Sequence, residues 1–192
     1  MFKEYIKPAL LSFLVLTIIT GVIYPLFITG IAQVLFSNQA NGSLLYRKGK
    51  VVGSFLVGQV FDDPRYLWGR ISATSPQYNA SSSSGSNIGP TNPALIDEIS
   101  GRIKALKAAD PENTNPVPVD LVTSSASGLD PHISLAAAYY QINRVARSRG
   151  LAQDKIKVII DQHTHGRLLG VIGEPVVNVL EINLALDDYK NK

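Results

Sequence analysis

The hydropathy pattern divides this chain in two. From Ala9 to Phe36 nearly every position is apolar, and the first charge after Lys7 is Arg47. As helix, that run is about 42 Å long at ~1.5 Å per residue. A bilayer hydrocarbon core needs only about 20 such residues. The pattern predicts a transmembrane helix over 9–36, preceded by a short tail, 1–8, and followed by a polar linker, 37–50. A cleaved signal peptide fits less well: its apolar region is about 7–15 residues and ends in an A-x-A-like site. The exit here, Phe36-Ser-Asn-Gln-Ala40, lacks small residues at both required positions.

The span has internal texture. Thr17, Gly21, Pro25, Thr29 and Gln33 recur every four residues, so they share one face of a helix. Small and hydroxylated residues in such a row let a second helix approach closely, and Gln33 could hydrogen-bond across the contact. These five residues are the candidate helix-packing interface. Gly and Pro are also simply common in transmembrane helices. Pro25 predicts a kink, because it removes a backbone donor and crowds the preceding turn.

Beyond the linker, 51–192 reads as a single α+β domain. Val51–Phe61 and Tyr66–Ile71 carry β-branched and aromatic residues and read as strands. Residues 72–92 form a long Ser-, Gly- and Pro-rich loop, unusual inside a compact domain. Pro93 opens a helix capped by Asn92, with Leu95, Ile96, Ile99, Ile103 and Leu106 on one face. A connector, 109–118, precedes a short strand over Val119–Thr123. Asp130-Pro131 signals another helix start; that helix turns Ile133, Ala137, Tyr140 and Val145 inward and ends at Gly150. Gln153–Thr164 reads as helix, with Ile156, Ile159 and Ile160 on one side. Leu168–Ile172 and Val176–Val177 are strand candidates. Asn178 and Glu181 have capping-box spacing ahead of a last helix.

Charge excludes some partners. With Lys3, Lys7 and Glu4 set aside, the totals of 18 basic and 15 acidic residues become 16 and 14. So balanced a domain offers no basic face for nucleic acid. Cysteine is absent, which removes disulfides, thiolate zinc sites and cysteine nucleophiles. Lys3 and Lys7 lie before the span and Arg47, Lys48 and Lys50 well after it. Long domains translocate largely regardless of charge, so these flanks do not orient the chain.

No catalytic, cofactor or metal constellation emerges. Gly85 to Gly89 is one residue too tight for a P-loop, and Pro90 stands where lysine should. His163, His165 and His132 could supply zinc ligands, but His-x-His is a weak signal, and ordinary hydrogen-bonding roles at helix ends and in loops account for them better. Asp62 and Asp63 read as a solvated turn before Pro64. Serines are many, yet neither G-x-S-x-G nor S-x-x-K is present. Trp68, the only Trp, stands two residues from Arg70. An aromatic plus Arg pair marks an interface anchor and equally a buried core Trp; both readings stay open, and Trp68 and Arg70 are candidate partner contacts.

The order of these segments carries a resemblance. Trp68-Gly-Arg-Ile-Ser-Ala is followed by Tyr78-Asn-Ala and Gly85-Ser-Asn-Ile-Gly-Pro-Thr-Asn-Pro93. Ser127-Gly-Leu-Asp-Pro-His-Ile-Ser134 and Gln141-Ile-Asn-Arg-Val-Ala146 come next, then Arg149-Gly-Leu. Gly173-Glu-Pro-Val-Val-Asn-Val-Leu180 and Leu184-Ala-Leu-Asp187 close the series. Together with the single N-terminal span, this resembles the C subunit of the bacterial Kdp potassium-transporting ATPase over nearly the whole chain. Leu135 and the four-serine run, Ser81–Ser84, are local variations.

The resemblance implies a non-catalytic accessory subunit in the bacterial inner membrane, single-pass, with its domain on the outer side. It implies two partners besides the lipid bilayer: a potassium-binding, channel-like subunit and a P-type ATP-hydrolysing subunit, which handle potassium and ATP. The family's C subunit is needed for assembly and described as a catalytic chaperone that raises the ATP affinity of the hydrolysing subunit. It carries an ATP-binding label. Cytoplasmic ATP cannot reach an outer domain, and this chain has no Walker motif, so no nucleotide-binding residue is carried over. The alternative from another class is a membrane-anchored periplasmic serine hydrolase.

Overall fold

The computed structural model describes residues 2–189. Met1 of the expected tail and residues 190–192 of the expected domain lie outside the described residues. The chain forms two units, dividing between Leu44 and Leu45.

The first unit is helical almost throughout. α1 (Phe2–Ile18) begins inside the expected tail and carries Glu4 and Pro8. A π-helical segment, Ile19–Ile23, leads into α2 (Tyr24–Leu35). The 32 residues from Glu4 to Leu35, whose most apolar 18-residue stretch has mean hydropathy 2.3, make one helix long and apolar enough to cross a membrane, with none of that stretch buried. The π segment ends two residues before Pro25, where the sequence predicts a kink. Pro25 has no N–H to offer the Gly21 carbonyl, and the Tyr24 N–H reaches back five residues to Ile19. The Thr20 hydroxyl donates to the Leu16 carbonyl at 2.8 Å just ahead of the break.

The expected linker is structured. It holds the helical turn α3 (Ser37–Ala40) and the strand β1 (Leu44–Arg47), which pairs with β2 (Lys50–Ser54). The strand expected over Val51–Phe61 is therefore shorter and starts earlier.

The second unit has mixed helices around a small sheet. α4 (Pro93–Ala109) starts where its sequence predicts, with the Asn92 side chain accepting from the Ala94 N–H at 3.0 Å. Val119–Leu121 is a 3₁₀ turn, where a strand was expected. The helix signalled at Asp130 starts later. Asp130 Oδ1 instead accepts from the His132 N–H at 2.9 Å and launches β3 (His132–Ser134). Ser134 then caps α5 (Leu135–Tyr140), which is followed by α6 (Ile142–Arg149) and stopped by Gly150 in the left-handed conformation. α7 (Gln153–Gln162), β4 (Thr164–His165), β5 (Val176–Asn178) and α8 (Val179–Tyr189) complete the domain. Asn178 Oδ1 accepts from the Glu181 N–H at 3.1 Å, as the capping spacing predicted.

β5 is the centre of the antiparallel sheet β3-β5-β4. His132 lies opposite Asn178, and His165 opposite Val176. One apolar cluster joins Ile133, Ala137, Val145, Ile156, Ile160, Val177, Ile182 and Leu186 to Leu106 and Leu121. The inward faces expected for the helices near 140 and 156 are therefore the buried ones; in α4, Ile96 stays exposed while Leu106 reaches the core.

Candidate functional site

Residues 55–92 contain no helix or regular strand, yet Leu67, Trp68 and Gly69 are buried. Buried backbone polar groups need partners, and here side chains supply them. The Leu67 N–H donates to Asn183 Oδ1 at 2.8 Å, and Asn183 Nδ2 donates back to the Leu67 carbonyl at 3.0 Å. One residue on, the Trp68 N–H donates to Gln141 Oε1 at 2.8 Å, and Gln141 Nε2 donates to the Trp68 carbonyl at 3.1 Å. Two buried amides thus take the place of a neighbouring strand. This is why the segment expected as a strand over Tyr66–Ile71 is extended but unpaired, apart from a bridge between Ile71 and Ser124.

Trp68 is 6% exposed. That burial matches the core role, one of the two its sequence left open. Its ring lies 4.4 Å from the Arg144 guanidinium and 5.2 Å from that of Arg102, within the range of cation–π attraction. Arg144 is almost wholly buried and donates to the carbonyls of Pro64 (2.7 Å) and Tyr66 (3.0 Å). Burial pulls its pKa down to about 10. Arg102 donates to the carbonyls of Leu121 and Gly69 at 3.1 and 2.9 Å, and burial lowers its pKa also. Both cations act as ties for irregular backbone.

Arg70 is half-buried and lines two clefts. One, of about 260 Å³, is bounded by Gly69, Tyr78, Asp97, Glu98 and Arg102. The other, of about 610 Å³, is bounded by Leu56, Ser127, Leu129, Asp130 and His132. Arg70 contacts Asp130 Oδ2 at 3.4 Å and the Ser124 carbonyl at 3.2 Å. Burial raises the pKa of the Asp130 carboxyl, but hydrogen bonds from His132 and the charge of Arg70 outweigh this and hold it below its ordinary value. Tyr78 closes the first cleft by donating to the Arg70 carbonyl at 2.7 Å, and burial raises its hydroxyl pKa. A Cβ on Gly58 would come within 2.3 Å of the Tyr78 ring, so this approach requires glycine.

The long loop is held by its own polar groups. Ser72 Oγ donates to the Gly128 carbonyl (2.7 Å) and accepts from the Tyr78 N–H (2.8 Å). The Ser83 hydroxyl and the Ser84 N–H both donate to the Ser127 carbonyl. The serine run thus lies along 124–128.

His163 stands apart from the other two histidines. His163 Nδ1 donates to the Ile159 carbonyl at 2.8 Å. His132 and His165 approach across the sheet, ring centroids 6.4 Å apart, with Phe55 edge-on to both. Each pairs with its own carboxylate, Asp130 at 3.3 Å and Glu181 at 2.9 Å. Among the described residues no three His, Cys, Asp or Glu side chains converge as a metal site. Asp63 takes the expected turn role, accepting from the Arg65 N–H and guanidinium.

In the first unit the small-residue row acquires a property its sequence does not display. On an α-helix four residues advance about 400°, so an i,i+4 row drifts about 40° per step. A π turn, closed by bonds to i−5, holds more residues and turns the row back. The segment Ile19–Ile23 lies between Thr17 and Pro25, where it opposes the drift. Gln33 is engaged within the unit: its amide exchanges hydrogen bonds with that of Asn41 at 3.2 and 3.4 Å.

The fold therefore defines a class: a membrane protein with one N-terminal span and an α+β domain. The family model described as "KdpC: K+-transporting ATPase, c chain" matches residues 6–188. This chain is 59% identical over 190 residues to the potassium-transporting ATPase KdpC subunit of Paraburkholderia phytofirmans, covering 98% of this chain and 99% of that one. It is 61% identical over 185 residues to that of Methylococcus capsulatus (96% and 97%) and 57% over 190 to that of Herpetosiphon aurantiacus (98% and 98%). The chain belongs to the KdpC family, the c chains of K+-transporting ATPases.

Proposed function

We propose that this chain is the accessory, non-catalytic subunit of a potassium-transporting ATPase in the bacterial inner membrane, needed for its assembly. Its span packs through the face of Thr17, Gly21, Pro25 and Thr29 on a channel-like, potassium-binding subunit, with Gln33 closing the end of the row. Its domain stands on the outer side, and ATP is hydrolysed by a separate P-type subunit. Any effect on ATP affinity is then exerted through the assembly. Family membership supports the subunit role. The observations that support the packing role are the span itself, 32 residues with its most apolar stretch uncovered, and the row of small residues along it. Small residues at that face suit close helix approach. The alternative reading is a membrane-anchored periplasmic serine hydrolase; Ser72 and Ser83, at least, donate their hydroxyls to loop carbonyls.

Gly21→Leu tests this reading. A Cβ at Gly21 meets nothing within 4 Å in the isolated chain, so the added side chain clashes with no atom of this chain at that point. The expected result is clearly weaker co-purification with the ATPase from detergent-solubilised membranes. Assembly at wild-type level would overturn the packing face.

A further inference from the structure

The β1–β2 hairpin has two unlike faces. Its strands are joined by Lys48-Gly49, both with positive φ, 50° and 74°. That is the two-residue type I′ turn, which sets Arg47 opposite Lys50 and Tyr46 opposite Val51. Residues directly opposite share a face of the ribbon, and neighbours along a strand point to opposite faces. Leu45, Arg47 and Val52 thus share the face turned to the domain, where all three are partly buried. Arg47 pairs there with Asp187 at 3.3 Å and with Asp188, both on α8. Tyr46 and Val51 share the other face and are bare, 65% and 54% exposed.

Charge gives this ribbon a sign. Arg47 and Arg149 offset Asp187 and Asp188. Lys48 and Lys50, at the turn, are exposed, and among the described residues neither has a carboxylate partner. Two uncompensated cations therefore stand beside an exposed tyrosine and an exposed valine. Tyr is enriched where a bilayer meets water, with its ring at headgroup level. Lysine lays its stem along apolar surface and keeps its ammonium among polar groups. An anionic headgroup layer satisfies both kinds of side chain at once.

Connectivity brings such a layer within reach. The exposed apolar residues of the span continue through Val34, Leu35 and Phe36, and β1 begins at Leu44. Residues 36–43 alone intervene, a reach of at most about 29 Å if fully extended, and Ser37–Ala40 are coiled into α3. The hairpin is thus tethered close to the lipid surface in which the span ends. We infer that the outer face of the β1–β2 hairpin docks on anionic phospholipid headgroups around the end of the span. Tyr46 and Val51 enter the headgroup layer, and Lys48 and Lys50 meet its phosphates. This contact follows from the span and the hairpin and does not depend on the subunit reading above.

The chain has no cysteine, so Val51→Cys puts its single thiol on that face, for a nitrobenzoxadiazole label. The full chain is reconstituted in vesicles of phosphatidylcholine, alone or mixed with phosphatidylglycerol. With phosphatidylglycerol, a lipid carrying a nitroxide on its headgroup is expected to quench the label. The docked-to-free ratio, read from the label's long and short lifetimes, is expected to fall about thirty-fold in Lys48→Gln with Lys50→Gln, at about five-fold per lysine near an anionic surface. Salt of about 1 M, where the screening length shrinks to about 3 Å, is expected to release the unsubstituted hairpin likewise, with no change to its fold. Quenching no greater with phosphatidylglycerol than without it would overturn the proposal, as would a ratio unmoved by both the substitutions and the salt. A label shielded only when the chain is assembled in the ATPase would also overturn it, and would make this face a protein contact.

Discussion

Leu67 and Asn183, 116 positions apart, are joined as two paired strand residues would be, through one donor and one acceptor each. Together with the Trp68–Gln141 exchange beside it, this pairing holds an irregular segment against the helical core. Replacing Asn183 by Ala leaves the buried Leu67 N–H and carbonyl without partners. An unsatisfied buried group costs roughly 1–3 kcal/mol, so the variant is expected to lose roughly 2–4 kcal/mol. Thermal unfolding in detergent reads this as a lower melting temperature, by about 2–4 °C per kcal/mol for a chain of this size. A loss below about 0.5 kcal/mol would show that the amide is dispensable.

Asp130 gives a pH signature. Its folded pKa lies below its ordinary 3.8, because His132 and Arg70 favour the carboxylate more than burial disfavours it. A depressed carboxyl contributes stability that is fully present above the ordinary value and lost as pH falls through the folded one. Asp130→Asn is expected to cost roughly 1 kcal/mol at pH 7. The gap from wild type starts to narrow only as pH falls past the ordinary value of 3.8, and closes below the folded pKa, where both chains carry a neutral group. Denaturant unfolding at pH 7, 5 and 3 checks this; a gap independent of pH would remove the charge from the explanation.

Orientation decides whether the domain can meet cytoplasmic ATP. Ser82 is exposed on the long loop, and the chain has no cysteine. Ser82→Cys is expected to react with a membrane-impermeant maleimide in cells whose outer membrane alone has been opened. Reaction only after the inner membrane is breached would place the domain in the cytoplasm and reverse the proposed topology.

The helices were the legible part of this chain. Asn92 with Pro93, Gly150, and Asn178 with Glu181 mark their ends through local chemistry, and the structure places caps at all three. The apolar faces of α6 and α7 follow from spacing, because a buried helix face repeats every turn. Strands were less legible. Val119–Thr123 has β-branched residues but makes a 3₁₀ turn, and Leu168–Ile172 closes into a hairpin tip between β4 and β5. Such short runs satisfy their backbone in whatever way their surroundings allow. The exposure of that tip is what pattern reading missed: its apolar residues look like a strand until their exposure is known. Neither the burial of Trp68 nor the meeting of His132 with His165 has a local signal.

The sequence by itself determined the membrane span and the helical skeleton of the domain. Both depend on interactions between residues within a few turns of one another, or on bulk apolar length. Tertiary structure decided where Trp68 and Arg70 lie, why 55–92 holds its shape without strands, and which apolar residues face outward. Those outcomes depend on hydrogen bonds from Gln141, Arg144 and Asn183 to backbone more than seventy residues away. A contact of that range imposes no period on the chain and becomes visible only when the chain has folded.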